Sequence, residues 1–118
     1  MKIKNHSTIK NPIINKNGEK IFELFGNDDV KNMSICYVVI PKGCASDTHY
    51  HKREEEFYHI IKGNGVLTVN GNSIDVKSGD TILIEPNDVH TIKNARGGKS
   101  GIYLHLFAAL GPERYLSC

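Results

Sequence analysis

His49 and His51 stand two residues apart in the run Thr48-His49-Tyr50-His51, Glu56 follows five positions after the second histidine, and a lone His90 comes later. In a β-strand, side chains alternate between faces with a period of two, so His49 and His51 point one way while Thr48 and Tyr50 point the other. Lys52 and Arg53 lie where a short turn can reverse the chain, and Glu56 on the returning strand can bring a carboxylate to the point the imidazoles face. Three nitrogens and one oxygen suit Fe(II), Mn(II), Ni(II), Cu(II) or Zn(II) better than Ca(II) or Mg(II), whose shells are built from oxygen. A His-x-His pair on an exposed strand is, taken alone, more often an ordinary solvated face. The spacing around the pair has to decide.

Five residues separate Gly43 from His49, four separate His51 from Glu56, six separate Glu56 from Gly63, and fifteen separate Gly63 from Gly79. On these residues the chain resembles the cupin superfamily. The family's first motif (Gly, five residues, His-x-His, three or four residues, Glu, six residues, Gly) is matched at every defined position by Gly43, His49, His51, Glu56 and Gly63. The second (Gly, five residues, Pro-x-Gly, two residues, His, three residues, Asn) is matched at Gly79, His90 and Asn94, with Glu85 in place of the proline and Asn87 in place of the glycine. Neither departure touches a candidate ligand. Pro86, one residue later, can still stiffen the turn, and Asn is the non-glycine residue that best tolerates a left-handed backbone.

The resemblance covers about half of the chain, motif 1 at 43–63 and motif 2 at 79–94. It implies an all-β fold, a double-stranded β-helix or jelly-roll barrel, over one domain at 1–118. It also implies that His49, His51, Glu56 and His90 hold one divalent transition metal per chain, with Fe, Mn, Ni, Zn and Cu not distinguishable. An octahedral ion held by four protein ligands keeps two positions open for water, dioxygen or a substrate's oxygen atoms. Families of this architecture include dioxygenases, decarboxylases, sugar isomerases and epimerases, lyases and non-catalytic binding domains, and the fold alone does not choose among them. The expected function is a metal-dependent enzyme acting on a small oxygen-bearing metabolite; the alternative is a sugar- or carboxylate-binding or sensing module.

Strand signals must position these residues, and they dominate the chain. Gly18 to Gly26 alternates between glycines, Met33 to Ile40 is a β-branched run closed by Pro41 and Gly43, and Glu55 to Ile61 carries the glutamate. Val66–Val69 and Ile74–Val76 flank Asn70-Gly71, a strong two-residue hairpin signal. Thr81 to Ile84 reads as a strand covered on both faces, a strand with His90 and Ile92 follows, and Gly101 to Phe107 closes the series. Pro112 to Leu116 has room for one helical turn.

Alternation proposes the pocket lining. Tyr58 and Ile60 share the face of Glu56, and Phe57 and His59 point away. On the last strand Tyr103, His105 and Phe107 occupy one face and Ile102, Leu104 and Leu106 the other, and the pattern does not say which looks inward. His105, if inside, is a candidate general acid or base, and Tyr58 is the second catalytic candidate.

The chain has 118 residues and a formal net charge of +2. That length supports one core, and the charge is too small to argue for a nucleic-acid partner. No apolar stretch approaches the roughly twenty residues of a membrane helix, and the first residues lack the apolar core of a secretion signal, so no membrane is expected and the location expected is cytoplasmic. Cys36, Cys44 and Cys118 are odd in number and lack Cys-x-x-Cys spacing, so neither a disulfide framework nor a zinc knuckle is indicated. Cys36 reads as a small core residue and Cys44 as a loop thiol. The few apolar residues between Lys2 and Ile14 cannot form a core of their own, and with the family's habit of dimerising they point to a homodimer with N-terminal strands at its interface.

Overall fold

Nine strands form among the residues described in the computed structural model, which are 1–26, 28–94 and 103–111. In chain order they are β1 (Ile13–Ile14), β2 (Lys20–Phe25), β3 (Ser34–Ile40), β4 (Glu56–Lys62), β5 (Asn64–Val69), β6 (Asn72–Lys77), β7 (Thr81–Ile84), β8 (His90–Asn94) and β9 (Leu104–Leu110), preceded by a 3-10 turn at His6–Thr8. The start of the last expected strand at Gly101 and Ile102, the turn at 112–116 and Cys118 lie outside the described residues. Every ladder is antiparallel. A six-stranded sheet runs β1-β2-β3-β9-β4-β7 and a three-stranded sheet runs β6-β5-β8.

The two sheets close on one core, as expected of a jelly-roll barrel. Cys36, Val38 and Ile40 of β3, Tyr58 and Ile60 of β4 and Leu104, Leu106 and Ala108 of β9 meet Leu67, Val76 and Ile92 of the smaller sheet in one buried cluster. Apolar side chains at every second position can leave water only by facing the other sheet, so the alternation seen in the sequence becomes the inside and outside of the barrel.

The turns follow their chemistry. Asn70 and Gly71 both have positive φ, 50° and 84°, which is the type I′ hairpin whose twist matches its strands. Gly63 has φ 91°, and a Cβ there would stand 2.9 Å from the Tyr103 carbonyl oxygen, so a glycine is needed where the β4–β5 corner passes the start of β9.

Several expectations change. His49 and His51 are not in a ladder strand; the segment is extended and tied by a single bridge, His49 to His90. The strand β7 is not covered on both faces. It is the edge of the larger sheet, and Leu83 is 58% exposed. Cys36 is fully buried as expected, but it is disulfide-bonded and not a free core thiol, whereas Cys44 is free. The N-terminal segment finds part of its surface on its own chain: Lys4 Nζ lies 2.8 Å from Asp29 Oδ2 and 5.1 Å from the Phe25 ring centre, and His6 stacks on Tyr37 at 3.9 Å. Ile13 and Ile14 on the edge strand β1 remain exposed.

Candidate metal centre

Three chain segments deliver the four candidate ligands. Glu56 opens β4 on its interior face, two residues before the buried Tyr58. His90 opens β8, and its backbone exchanges hydrogen bonds with that of His49, which fixes those two residues side by side (His49 N to His90 O 3.1 Å, His90 N to His49 O 2.9 Å). The His51 carbonyl accepts a hydrogen bond from Asn87 N at 2.7 Å. Asn87 adopts the left-handed φ of 71° expected of the residue standing in the motif's glycine position.

One ligand atom from each of His49, His51, Glu56 and His90 can be chosen so that all lie within 4.8 Å of one another. The three Nε2 atoms surround a single oxygen, Glu56 Oε1, at 4.0 Å for His49, 3.5 Å for His51 and 3.0 Å for His90. His51, Glu56 and His90 are buried, and the His49 side chain is 30% exposed, so the cluster opens on the His49 side.

Backbone carbonyls set the histidine tautomers. His49 Nδ1 lies 2.7 Å from the Asp47 carbonyl oxygen and His90 Nδ1 lies 2.8 Å from that of Asp88. A carbonyl only accepts, so both Nδ1 atoms carry the proton and both Nε2 atoms turn a lone pair toward Glu56. His49 Nε2 and Glu56 Oε2 are buried with no hydrogen-bond partner among the described residues. Lone pairs facing a buried carboxylate are a costly arrangement unless a cation lies among them, and imidazoles held by carbonyls through the far nitrogen are the usual support of a metal site. The donor set therefore fits one transition-metal ion.

Electrostatics agree. Burial lowers the His49 pKa, which keeps the ring neutral and able to ligate. Burial alone would raise Glu56, but the close approach of His51 and His90 outweighs it and holds the carboxyl below its ordinary value. Burial, with the Glu56 and Glu19 carboxylates nearby, pushes the Tyr58 phenol well above its ordinary value, so Tyr58 stays a neutral hydroxyl.

The other expected residues divide. Tyr58 is brought to the cluster, its ring 6.1 Å from that of His90. His105 is not. Leu104 and Leu106 turn inward, and His105 lies on the opposite face of β9, where its Nδ1 meets the Tyr37 hydroxyl at 2.8 Å. The stronger apolar set of the strand took the core, which answers the question its alternation left open. Asn94 is buried as a structural tie, donating from Nδ2 to the Ile40 carbonyl at 2.8 Å.

Glu19 is the residue that the reading of the sequence missed. It is 8% exposed, and its carboxyl is raised to about 7, first by burial and then by the charges of Asp47 and Glu56. Nothing in the alternating segment that contains it marks it out from Glu23. Only the fold brings its charge within reach of the cluster.

Comparison with known proteins agrees with this geometry. The family model described as the cupin domain matches residues 36–107. The uncharacterized protein MJ1618 of Methanocaldococcus jannaschii is 36% identical over 85 residues, which cover 70% of this chain and 68% of that protein. The oxalate-binding protein of Thermotoga maritima is 34% identical over 55 residues, spanning 47% of this chain and less than half, 46%, of that protein. Among solved structures, a predicted oxalate decarboxylase from Thermotoga maritima superposes with a TM-score of 0.80 at 24% identity, covering 95% of this chain and all (100%) of that one. With the matched model spanning both motifs and the jelly-roll topology in place, the chain belongs to the cupin family.

Proposed function

We propose that the chain is a metal-dependent enzyme acting on a small oxygen-bearing metabolite, of dioxygenase, isomerase or lyase type, with one divalent transition metal held by His49, His51, Glu56 and His90. The observation that carries this reading is the convergence of three imidazole Nε2 atoms on one buried Glu56 oxygen, with the tautomers of His49 and His90 set so that their lone pairs face it. A bound metal would supply Lewis acidity, polarising a carbonyl, enediol or carboxylate oxygen. The chain's own residues supply the rest. Asp47 and Asp88 hold two rings in register through their backbone carbonyls, Glu56 provides the anionic ligand, and Tyr58 offers an interior hydroxyl that remains a neutral hydrogen-bond donor throughout the physiological range. His105 has no place in this reading, because it lies on the outer face of β9.

Binding without chemistry is the second reading, and the similarity to a protein named for binding oxalate favours it. In both readings the partner is a small molecule, the chain acts as one domain over 1–118, and it assembles as a homodimer in the cytoplasm with a separate metal site in each subunit.

Metal analysis of the purified protein tests the centre, with about one ion per chain expected and none after chelation. A screen of metal-loaded protein then separates the readings. Oxygen consumption points to a dioxygenase, conversion of sugars or uronates without oxygen points to an isomerase or lyase, and saturable oxalate binding with no turnover supports the module. A wild-type protein that takes up no transition metal would refute the proposal.

A further inference from the structure

The two histidines whose Nδ1 protons rest on backbone carbonyls belong to matching units, Asp47-Thr48-His49 and Asp88-Val89-His90. In each, the ring donates to the carbonyl of the aspartate two residues earlier, at 2.7 Å for His49 and 2.8 Å for His90. In each, the aspartate's own carboxylate is gripped by an asparagine from a distant turn. Asn17 Nδ2 donates to Asp47 Oδ1 at 2.8 Å, across 30 positions of the chain, and Asn70 Nδ2 donates to Asp88 Oδ1 at 3.0 Å, across 18. Both asparagines stand before a glycine of positive φ, Gly18 at 93° and Gly71 at 84°.

The two turns are fastened differently. The first, Asn15 to Gly18, is closed by Gly18 N donating to the Asn15 carbonyl at 3.1 Å, and the Asn15 side-chain oxygen accepts from Asn17 N at 2.9 Å. It docks on the segment ahead of His49, where Ala45 N donates to the Asn17 carbonyl at 3.1 Å. The second is the β5–β6 hairpin. Val69 pairs with His90 in the ladder, Asn70 N donates to the Val89 carbonyl at 2.8 Å, and the Asn70 side-chain oxygen accepts from Val89 N at 2.9 Å. Glu85 N donates to the other Asp88 oxygen at 3.0 Å.

We propose that Asn17 and Asn70 are positioning residues of the metal centre, each clamping the aspartate whose carbonyl sets the tautomer and ring plane of one histidine ligand. This rests on the metal reading above. A carbonyl orients a ring only as firmly as its own residue is held, and the grip on each aspartate side chain restrains the residue that offers the carbonyl. Both asparagines are exposed, outside the core, so their replacement tests positioning apart from folding.

Co(II) alone is the probe, titrated into the metal-free wild type and its variants. In the Co(II) protein the Nδ1–H protons of ligating histidines give paramagnetically shifted NMR signals, and a carbonyl that accepts such a proton slows its exchange with water. Asn17→Ala is expected to speed the exchange of one signal and Asn70→Gly that of a different one; glycine keeps the positive φ of the hairpin. Each is expected to lower Co(II) affinity by up to about tenfold, less than the roughly ten- to hundredfold typical of a group bonded to a ligand directly. Wild-type exchange in both variants overturns the inference, and so does a uniform speeding of all the signals, the mark of a merely loosened fold. Asn70→Asp provides a second test. It keeps an oxygen for Val89 N but sets a carboxylate against that of Asp88, so the same signal should quicken. Adding Asp88→Asn reverses donor and acceptor, while the new amide oxygen still accepts from Glu85 N, so slow exchange should return. A double variant no slower than Asn70→Asp contradicts the clamp. A wild type that binds no Co(II) overturns the metal reading and this inference with it, whereas binding without the selective effects overturns the inference alone.

Discussion

His90 Nε2 lies 3.0 Å from Glu56 Oε1 while the same ring's Nδ1 is committed to the Asp88 carbonyl at 2.8 Å. A neutral imidazole has one proton, and the carbonyl claims it, so the short contact between ring and carboxylate joins two acceptors unless the ring is protonated or a cation is present. A buried contact of this kind, repeated less closely by His51 and His49, is the physical basis for reading the cluster as a metal site.

Replacing any one of His49, His51, Glu56 or His90 by alanine is expected to lower metal affinity by more than the roughly ten- to hundredfold typical of a lost supporting contact, because a bond to the ion itself is removed. Glu55→Ala is the control, since its residue is exposed next to the buried Glu56. Isothermal titration with Zn(II) measures both. Loss of the metal in Glu55→Ala with retention in Glu56→Ala would show that the register is wrong.

Stability of the metal-free protein should depend on Glu19 with a definite sign. The folded-state value is raised from 4.5 to about 7, so the folded chain binds more protons than the unfolded chain between those limits. The stability tied to Glu19 is therefore fully present below about pH 4.5 and is lost as the pH rises through about 7. At pH 8 the ionised, buried carboxylate costs roughly 3 kcal/mol relative to pH 4.5, an upper figure, since each tenfold difference in acidity between folded and unfolded chain is worth about 1.36 kcal/mol. Urea denaturation of Glu19→Gln should show a gain over the wild type at pH 8 that shrinks toward pH 5; a gain independent of pH speaks against the assignment.

Gly63→Ala is expected to destabilise by on the order of 1–3 kcal/mol, since the added methyl must occupy a positive-φ position. It also meets the Tyr103 carbonyl at 2.9 Å. Gly71→Ala shares the positive φ but has open space around its Cβ, so it should cost less. Denaturation midpoints of the two variants rank them, and the reverse order contradicts the close approach at the β4–β5 corner.

The homodimer proposed above places the exposed edge strand β1, with Ile13 and Ile14, at the interface. Light scattering at micromolar concentration is expected to give twice the 13.2 kDa of one chain, and Ile14→Lys to shift the mass toward the monomer. A wild-type mass near that of one chain removes the proposal.

From the sequence by itself came the strands and the hairpin at Asn70-Gly71, because alternation and turn chemistry are local properties, while the grouping of four candidate ligands came from the resemblance of the two motifs to the cupin pattern. The turn at Asn87 was legible for the same reason, since few residues accept its backbone angle. The sidedness of β9 was not legible: Tyr103, His105 and Phe107 form as regular a set as Leu104 and Leu106, and only competition for one core sent His105 outward. The exposure of β7 depends on its place at a sheet edge, which no local pattern encodes. Glu19 became visible only in the folded chain, because a carboxyl in an alternating segment acquires its burial and its charged neighbours when the Asn15 turn docks beside Asp47, some thirty residues away in the chain (Asn17 to Asp47, a separation of 30). Local spacing determined which side chains can share a face; long-range packing decided which of those faces meet.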